Sequence, residues 1–132
     1  MFSAGVDIIS IPRIQKSMRN AAFVSRVLGG RERERLEKKG FPAQGVAAAF
    51  AAKEAFAKCV GTGLSGFSLK DVELLTDEKG KPYYAFSGKA AQLVKELGVS
   101  FTVSVSHEGT IACVFALAYP AAAVDKGKEP LP

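Results

Sequence analysis

Three charged side chains stand where charge is costly. The run Val46 to Gly63, VAAAFAAKEAFAKCVGTG, reads as a helix apolar on nearly every face and therefore buried, yet it carries Lys53, Glu54 and Lys58. Charge in such a setting needs a partner. Glu54 precedes Lys58 by four residues, the favourable helical order for an ion pair, but that pairing contributes only about 0.2–0.5 kcal/mol on an exposed helix and does not justify burial. A hard divalent cation would. A second carboxylate is available in the N-terminal FSAGVDII, where period-two alternation sets Asp7 on the same side as Gly5 and Ile9. Asp7 is then either a cation ligand or a hydrogen-bonded strand-end aspartate. Gly61, Thr62 and Gly63 end the helix either as a C-cap or as backbone that lets amides approach a phosphate. His107, the single histidine, falls at a strand-end turn, where a surface histidine is the ordinary reading.

The elements that must hold these residues follow from pattern. Phe2 to Ile9 is a strand, and Ser10 with Pro12 opens a helix through about Asn20, on which Arg13, Lys16 and Arg19 recur at three-residue spacing and make one face basic. Phe23 to Leu28 is a second short helical piece closed by Gly29-Gly30. Arg31 to Lys39, RERERLEKK, alternates in charge sign and predicts a solvated helix face ended by Gly40. Beyond the central helix, Leu69 to Thr76 and Pro82 to Phe86 form a hairpin about Asp77-Glu78-Lys79-Gly80. Ser87 is placed to cap a helix over Lys89 to Leu97, stopped by Gly98. Phe101 to Ser106 and Thr110 to Tyr119 then pair around His107-Glu108-Gly109. The expected class is α+β, an antiparallel sheet of about five strands packed on a long apolar helix.

At 132 residues the chain fits one domain, expected over 1–120, followed by a tail at 121–132 without apolar periodicity. Hydrophobic residues are 48 % and charged residues 23 %, and the longest apolar run is broken by three charges, so no membrane span is expected. Asp7 interrupts what would be the apolar core of a signal peptide, which points to a cytoplasmic protein. Cys59 and Cys113 read as small buried hydrophobes without metal-ligand spacing. A net charge of +5 points to an anionic partner.

Three separated pieces, GVDIISIPRI, FAAKEAFAKCVGTG and VSVSHEGTIACVFALA, with Gly80-Lys81-Pro82 between the last two, resemble in order and spacing the holo-acyl-carrier-protein synthase family of 4′-phosphopantetheinyl transferases. The resemblance runs to about Tyr119. It implies a small α+β subunit in a homotrimer with active sites at subunit interfaces. The implied reaction, part of fatty-acid synthesis, is magnesium-dependent transfer of 4′-phosphopantetheine from coenzyme A to a serine of apo acyl carrier protein, leaving adenosine 3′,5′-bisphosphate. It carries onto this chain Asp7 and Glu54 as metal ligands and catalytic residues, and Lys58 as a catalytic and phosphate-facing cation. Gly61, Thr62, Gly63, Lys81, Pro82, Ser106 and His107 are carried over as coenzyme A contacts. Arg13, Lys16, Met18, Arg19, Phe23 and Arg26 would dock the acidic helix of the carrier protein, the alternative being a generic solvated basic face.

The chemistry agrees with those residue types. Phosphoryl transfer from a diphosphate needs charge neutralisation, in-line placement of the serine hydroxyl and a proton acceptor. Magnesium takes hard oxygen ligands, commonly one or two carboxylates plus substrate phosphates. A simple salt bridge remains the alternative for Lys58, and the proton acceptor is left open between a metal-bound water and either carboxylate.

One position departs from the pattern. The family usually has an arginine before the phenylalanine, as in GRFAAKEA, whereas Ala49 precedes Phe50 here. Alanine cannot supply the five fixed donors of a guanidinium. A second hypothesis is therefore an impaired family member that binds nucleotide or carrier protein without transfer. A third, a basic nucleic-acid-binding module, accounts for the charge but not for the two carboxylates, and the aromatics are not interleaved with Lys and Arg as a stacking platform needs. No nucleic-acid or membrane partner is expected.

Overall fold

The structure is a computed structural model, and it describes residues 2–121. The elements run β1 (Ser3–Ser10), α1 (Ile11–Ser17), α2 (Ala21–Val27), α3 (Gly30–Glu37), α4 (Ala43–Val60), a short 3-10 turn at Leu69–Asp71, β2 (Val72–Thr76), β3 (Pro82–Phe86), α5 (Gly88–Leu97), β4 (Val99–Glu108) and β5 (Ile111–Pro120). The tail at 121–132 lies almost wholly outside the described residues.

The expected α+β class is observed, with the five strands divided into two antiparallel sheets, β1-β5-β4 and the β2-β3 hairpin. β5 is central in the larger sheet. Register pairs Asp7 with Val114 and Val114 with Val105, so these three point to one face, while Ile8, Cys113 and Ser106 point to the other. The first face packs on α4.

Alanine is what lets α4 come so close. Ala48, Ala51, Ala52 and Ala55 are buried in one cluster with Val103, Val114, Ala116 and Ala118 from the sheet. Contact is closest at Gly5, where an added Cβ would sit 2.1 Å from the Ala55 carbonyl oxygen. Any side chain there would push β1 off the helix. Phe56 completes the core, its ring centroid 5.1 Å from both Phe67 and Phe101.

Two local expectations are corrected. The first helix stops at Ser17, because the Asn20 side chain turns to accept from the Ala22 backbone N–H and caps a separate α2. Ser87 stands at the start of α5 but makes no side-chain cap, its Oγ donating instead to Asp71 Oδ1 at 3.3 Å. The Ser10 cap forms as expected, accepting from Arg13 N at 3.3 Å, with Pro12 in the first turn.

Candidate functional site

The charged positions of α4 divide in a way that periodicity alone does not reveal. Lys53, not Glu54 or Lys58, is the fully buried one, and its partner is Glu32 of α3, also fully buried. Lys53 donates to Glu32 Oε1 and to the Val72 carbonyl oxygen, while Glu32 also accepts from the backbone N–H groups of Gly29 and Leu74, each at 2.9 Å. Glu73 accepts from Glu32 N at 2.9 Å and meets Arg31 at 3.5 Å. Burial acts against both charges, pushing the Glu32 carboxyl up and the Lys53 ammonium down, and each partner opposes the other's shift. This network ties α3, α4 and β2 together. It also corrects the reading of RERERLEKK as a solvated face, since Glu32 and Leu36 lie on the side of α3 that packs against α4 and β2.

Glu54 and Lys58 come up on the flank of α4 that faces β1. Lys58 is half exposed and donates to the Val6 carbonyl oxygen at 2.7 Å and to Asp7 Oδ1 at 3.4 Å, so its ion pair is with Asp7 rather than with Glu54. Asp7 and Glu54 line one cleft of about 390 Å³ with Ile9, Arg13, Ser17, Phe23 and Phe50. Desolvation raises the Glu54 carboxyl above its ordinary value, the charge of Asp7 raises it further, and Lys58 partly opposes both. Two carboxylates that repel each other across a cleft, from elements 47 positions apart in sequence, suit a divalent cation better than they suit each other. Among the described residues no cluster of three or more acidic, histidine or cysteine side chains forms a complete cage. Two carboxylates leave room for phosphate oxygens, the usual arrangement for magnesium.

The basic surface expected to dock a partner borders this cleft. Arg13, Lys16, Arg19 and Arg26 are exposed, while Met18 and Phe23 are half-buried against the core, with the Phe23 ring 5.9 Å from that of Phe50. Arg13 and Phe23 line the same cleft as the two carboxylates.

His107 is elsewhere. It stands on β4, the sheet edge opposite β1, and pairs with the Gln44 side chain at 2.6 Å. With Arg35, Lys39, Gln44, Gly80, Lys81 and Pro82 it lines a groove of about 740 Å³ to which no acidic side chain among the described residues contributes. The fold thus unites Lys81, Pro82 and His107 and adds three polar or basic residues that pattern reading missed. Ser106 points to the other face of the sheet, with Ile8 and Cys113. Gly61 is the left-handed C-cap of α4, φ 76°, and its N–H is already bonded to the Ala57 carbonyl oxygen; Thr62 and Gly63 follow in an exposed loop. The position usually held by arginine, Ala49, is completely buried in an apolar cluster with Ile14, Val27, Leu28, Leu36 and Val46.

Within one chain, therefore, the carboxylate cleft and the basic groove lie at opposite edges of the three-stranded sheet, separated by roughly 10 Å of strand spacing. The sheet face turned away from α4 carries Phe2, Val6, Ile8, Ile111 and Phe115, between 43 % and 74 % exposed. Cys59 is buried and Cys113 half-buried, both as free thiols. No helix among the described residues is long and apolar enough to cross a membrane.

Residues 3–114 match the model of the 4′-phosphopantetheinyl transferase superfamily. A holo-[acyl-carrier-protein] synthase of Clostridium botulinum is 38 % identical over 114 residues, covering 86 % of this chain and 93 % of that protein. The crystal structure of the holo-[acyl-carrier-protein] synthase from Neisseria meningitidis superposes with a TM-score of 0.82 at 33 % identity, over 89 % of this chain and 97 % of that one. The Bacillus anthracis holo-(acyl-carrier-protein) synthase, in complex with coenzyme A (3′,5′-ADP), superposes with a TM-score of 0.75 at 30 % identity, over 89 % and 96 % of the two chains.

Proposed function

This chain belongs to the 4′-phosphopantetheinyl transferase superfamily, and from that premise we propose that it acts as the holo-acyl-carrier-protein synthases do. It transfers 4′-phosphopantetheine from coenzyme A to a serine of apo acyl carrier protein, giving the holo protein and adenosine 3′,5′-bisphosphate. The observation that carries the reading is the convergence of Asp7, Glu54 and Arg13 on one cleft, with Lys58 bonded to Asp7 at its border.

Asp7 and Glu54 are the residues that would hold magnesium, which when bound neutralises charge on the diphosphate. Lys58 keeps a hydrogen of its ammonium for a phosphate oxygen after donating to Val6 and Asp7, and so stabilises charge that develops there. The serine oxygen forms the new bond to phosphorus, the bond to the oxygen of adenosine bisphosphate breaks, and the serine proton passes to a carboxylate. Glu54 suits that role better, since Asp7 is engaged by Lys58. The exposed cations of α1 and α2 receive the acidic helix of the carrier protein and bring its serine to the cleft.

The basic groove at His107, Lys81 and Pro82 receives coenzyme A. Since it lies at the opposite sheet edge from the carboxylates, a complete site requires the groove of one subunit beside the cleft of the next. Such a head-to-tail contact closes into a ring, and the exposed apolar sheet face is the surface that would line its centre. A homotrimer working in the cytoplasm is the assembly proposed. Ala49 is enclosed in the apolar core and lines neither the carboxylate cleft nor the basic groove, so the mass assay below decides between an active enzyme and an impaired binder.

The deciding experiment incubates the protein with coenzyme A, magnesium and an apo carrier protein and weighs the carrier by mass spectrometry. Gain of one phosphopantetheine, dependent on magnesium, is expected; binding of coenzyme A with an unchanged carrier mass would establish the impaired-binder alternative instead.

A further inference from the structure

Lys53 and Glu54 are neighbours on α4 with opposite surroundings. Lys53 is fully buried against α3 and β2, whereas Glu54, about 100° further round the helix, faces the cleft it shares with Asp7. Neither Lys53 nor Glu32 lines that cleft. The pair is nonetheless tied down at more points than an ion pair needs. Lys53 donates to the Val72 carbonyl oxygen as well as to Glu32, and Glu32 accepts from the backbone N–H groups of Gly29 and Leu74. The ammonium of α4 is thereby fixed in the frame of both α3 and β2.

Stability alone does not account for such a pair, since well-packed apolar side chains of similar volume hold a core as well or better. Direction does. Eight of the eighteen residues of α4 are alanine, and Ala48, Ala51, Ala52 and Ala55 supply most of the surface that it lays on the sheet. Alanine lets the helix come close but has no long side chain to interlock with its neighbours, so this surface resists separation more than rotation. Rotation matters at Glu54. A side-chain tip stands about 5–6 Å from a helix axis, so a turn of about 20° carries it through about 2 Å. A working set of ligands must be held to about 0.5 Å. We propose that Lys53 and Glu32 are positioning residues: their pairing sets the rotation of α4 about its axis and so holds the Glu54 carboxylate opposite Asp7. Fixing register is the best-attested use of a buried polar contact.

The inference rests on Asp7 and Glu54 being the cation ligands, and the test separates the two. Mn2+ is titrated into the full-length protein, alone and with coenzyme A, and the free ion is followed by electron paramagnetic resonance. Wild type is compared with Lys53→Met, Glu32→Gln and Val99→Ala, each first shown to be folded by circular dichroism. Val99 is buried on β4 and lines neither the cleft nor the groove, so its truncation reports what a loss of core packing does by itself. Lys53→Met should lose about tenfold or more in Mn2+ affinity, the size of effect that supporting partners of metal ligands have, while Val99→Ala keeps the wild-type value. Glu32→Gln, which keeps an oxygen for Lys53 and loses the charge, should fall between them. Should Lys53→Met fail to fold, the comparison of Glu32→Gln with Val99→Ala decides. Wild-type affinity in the pair variants would make the pair a structural support and overturn the proposal, and so would an equal loss in Val99→Ala. Absence of Mn2+ binding by wild type under both conditions would overturn the metal reading itself, and this proposal with it.

Discussion

Replacing Lys53 with methionine isolates what the buried pair does. The substitution keeps the length of the side chain and removes the ammonium, which leaves Glu32 fully buried with two backbone N–H donors and no cation. Removing one member of a buried ion pair costs about 3–5 kcal/mol, because the other charge stays desolvated. A domain of this size has about 5–15 kcal/mol in total, so the variant should be much weakened and still measurable. With a urea m-value of about 1–3 kcal/mol/M, the midpoint should fall by about 1 M or more at fixed protein concentration. Lys38→Ala is the control, since the Lys38–Glu34 pair at 3.4 Å is exposed on both sides and contributes about 1 kcal/mol at most. The pH dependence carries a second signature. Without Lys53, the Glu32 carboxyl rises further above its unfolded value, and such a group contributes stability below the unfolded pKa that is lost as pH rises through the folded one. The deficit of the methionine variant relative to wild type should therefore be smaller near pH 5 than near pH 8. A midpoint change no larger than that of the control, or a deficit that grows on acidification, would refute the claim that this pair holds α3 to α4.

The remaining predictions concern the cleft, the docking face and the assembly. Asp7→Ala and Glu54→Ala should each abolish magnesium-dependent transfer while far-UV circular dichroism stays that of wild type; near-normal turnover in either would remove it from the site. In metal-free protein the Glu54 carboxyl carbon should titrate above the ordinary 4.5, and Asp7→Asn should bring it down, since Asp7 is one of the charges that raises it; an unmoved titration by carbon NMR would argue against their proximity. Arg13→Glu should raise the KM for the carrier protein several-fold and flatten its salt dependence, with little change in coenzyme A affinity. Phe115→Asp, on the open sheet face, should give a monomer by light scattering with transfer lost, and an active monomer would show that one subunit suffices.

Much of the fold is legible in the sequence because its signals are local. The alternation of FTVSVS, the Ser10-Pro12 start of α1 and the Gly61 and Gly98 stops each depend on neighbours a few residues away, and the structure has β4, α1, α4 and α5 where those signals stand. The family resemblance likewise groups Asp7, Glu54 and Lys58, and the structure has Asp7 and Glu54 on one cleft with Lys58 bonded to Asp7.

What the sequence cannot express is which face of a charged helix turns inward. Glu32 and Lys53 are 21 positions apart, and each has an exposed or half-exposed charged neighbour of the same period, so only the packing of α3 on α4 and β2 decides that this pair is buried while Glu34, Lys38 and Lys58 meet solvent. The sequence by itself determines the charges, their order and the apolar helix that must carry them. The tertiary structure alone decides their pairing, because desolvation and Coulomb attraction act over a few ångströms of space and take no account of separation along the chain.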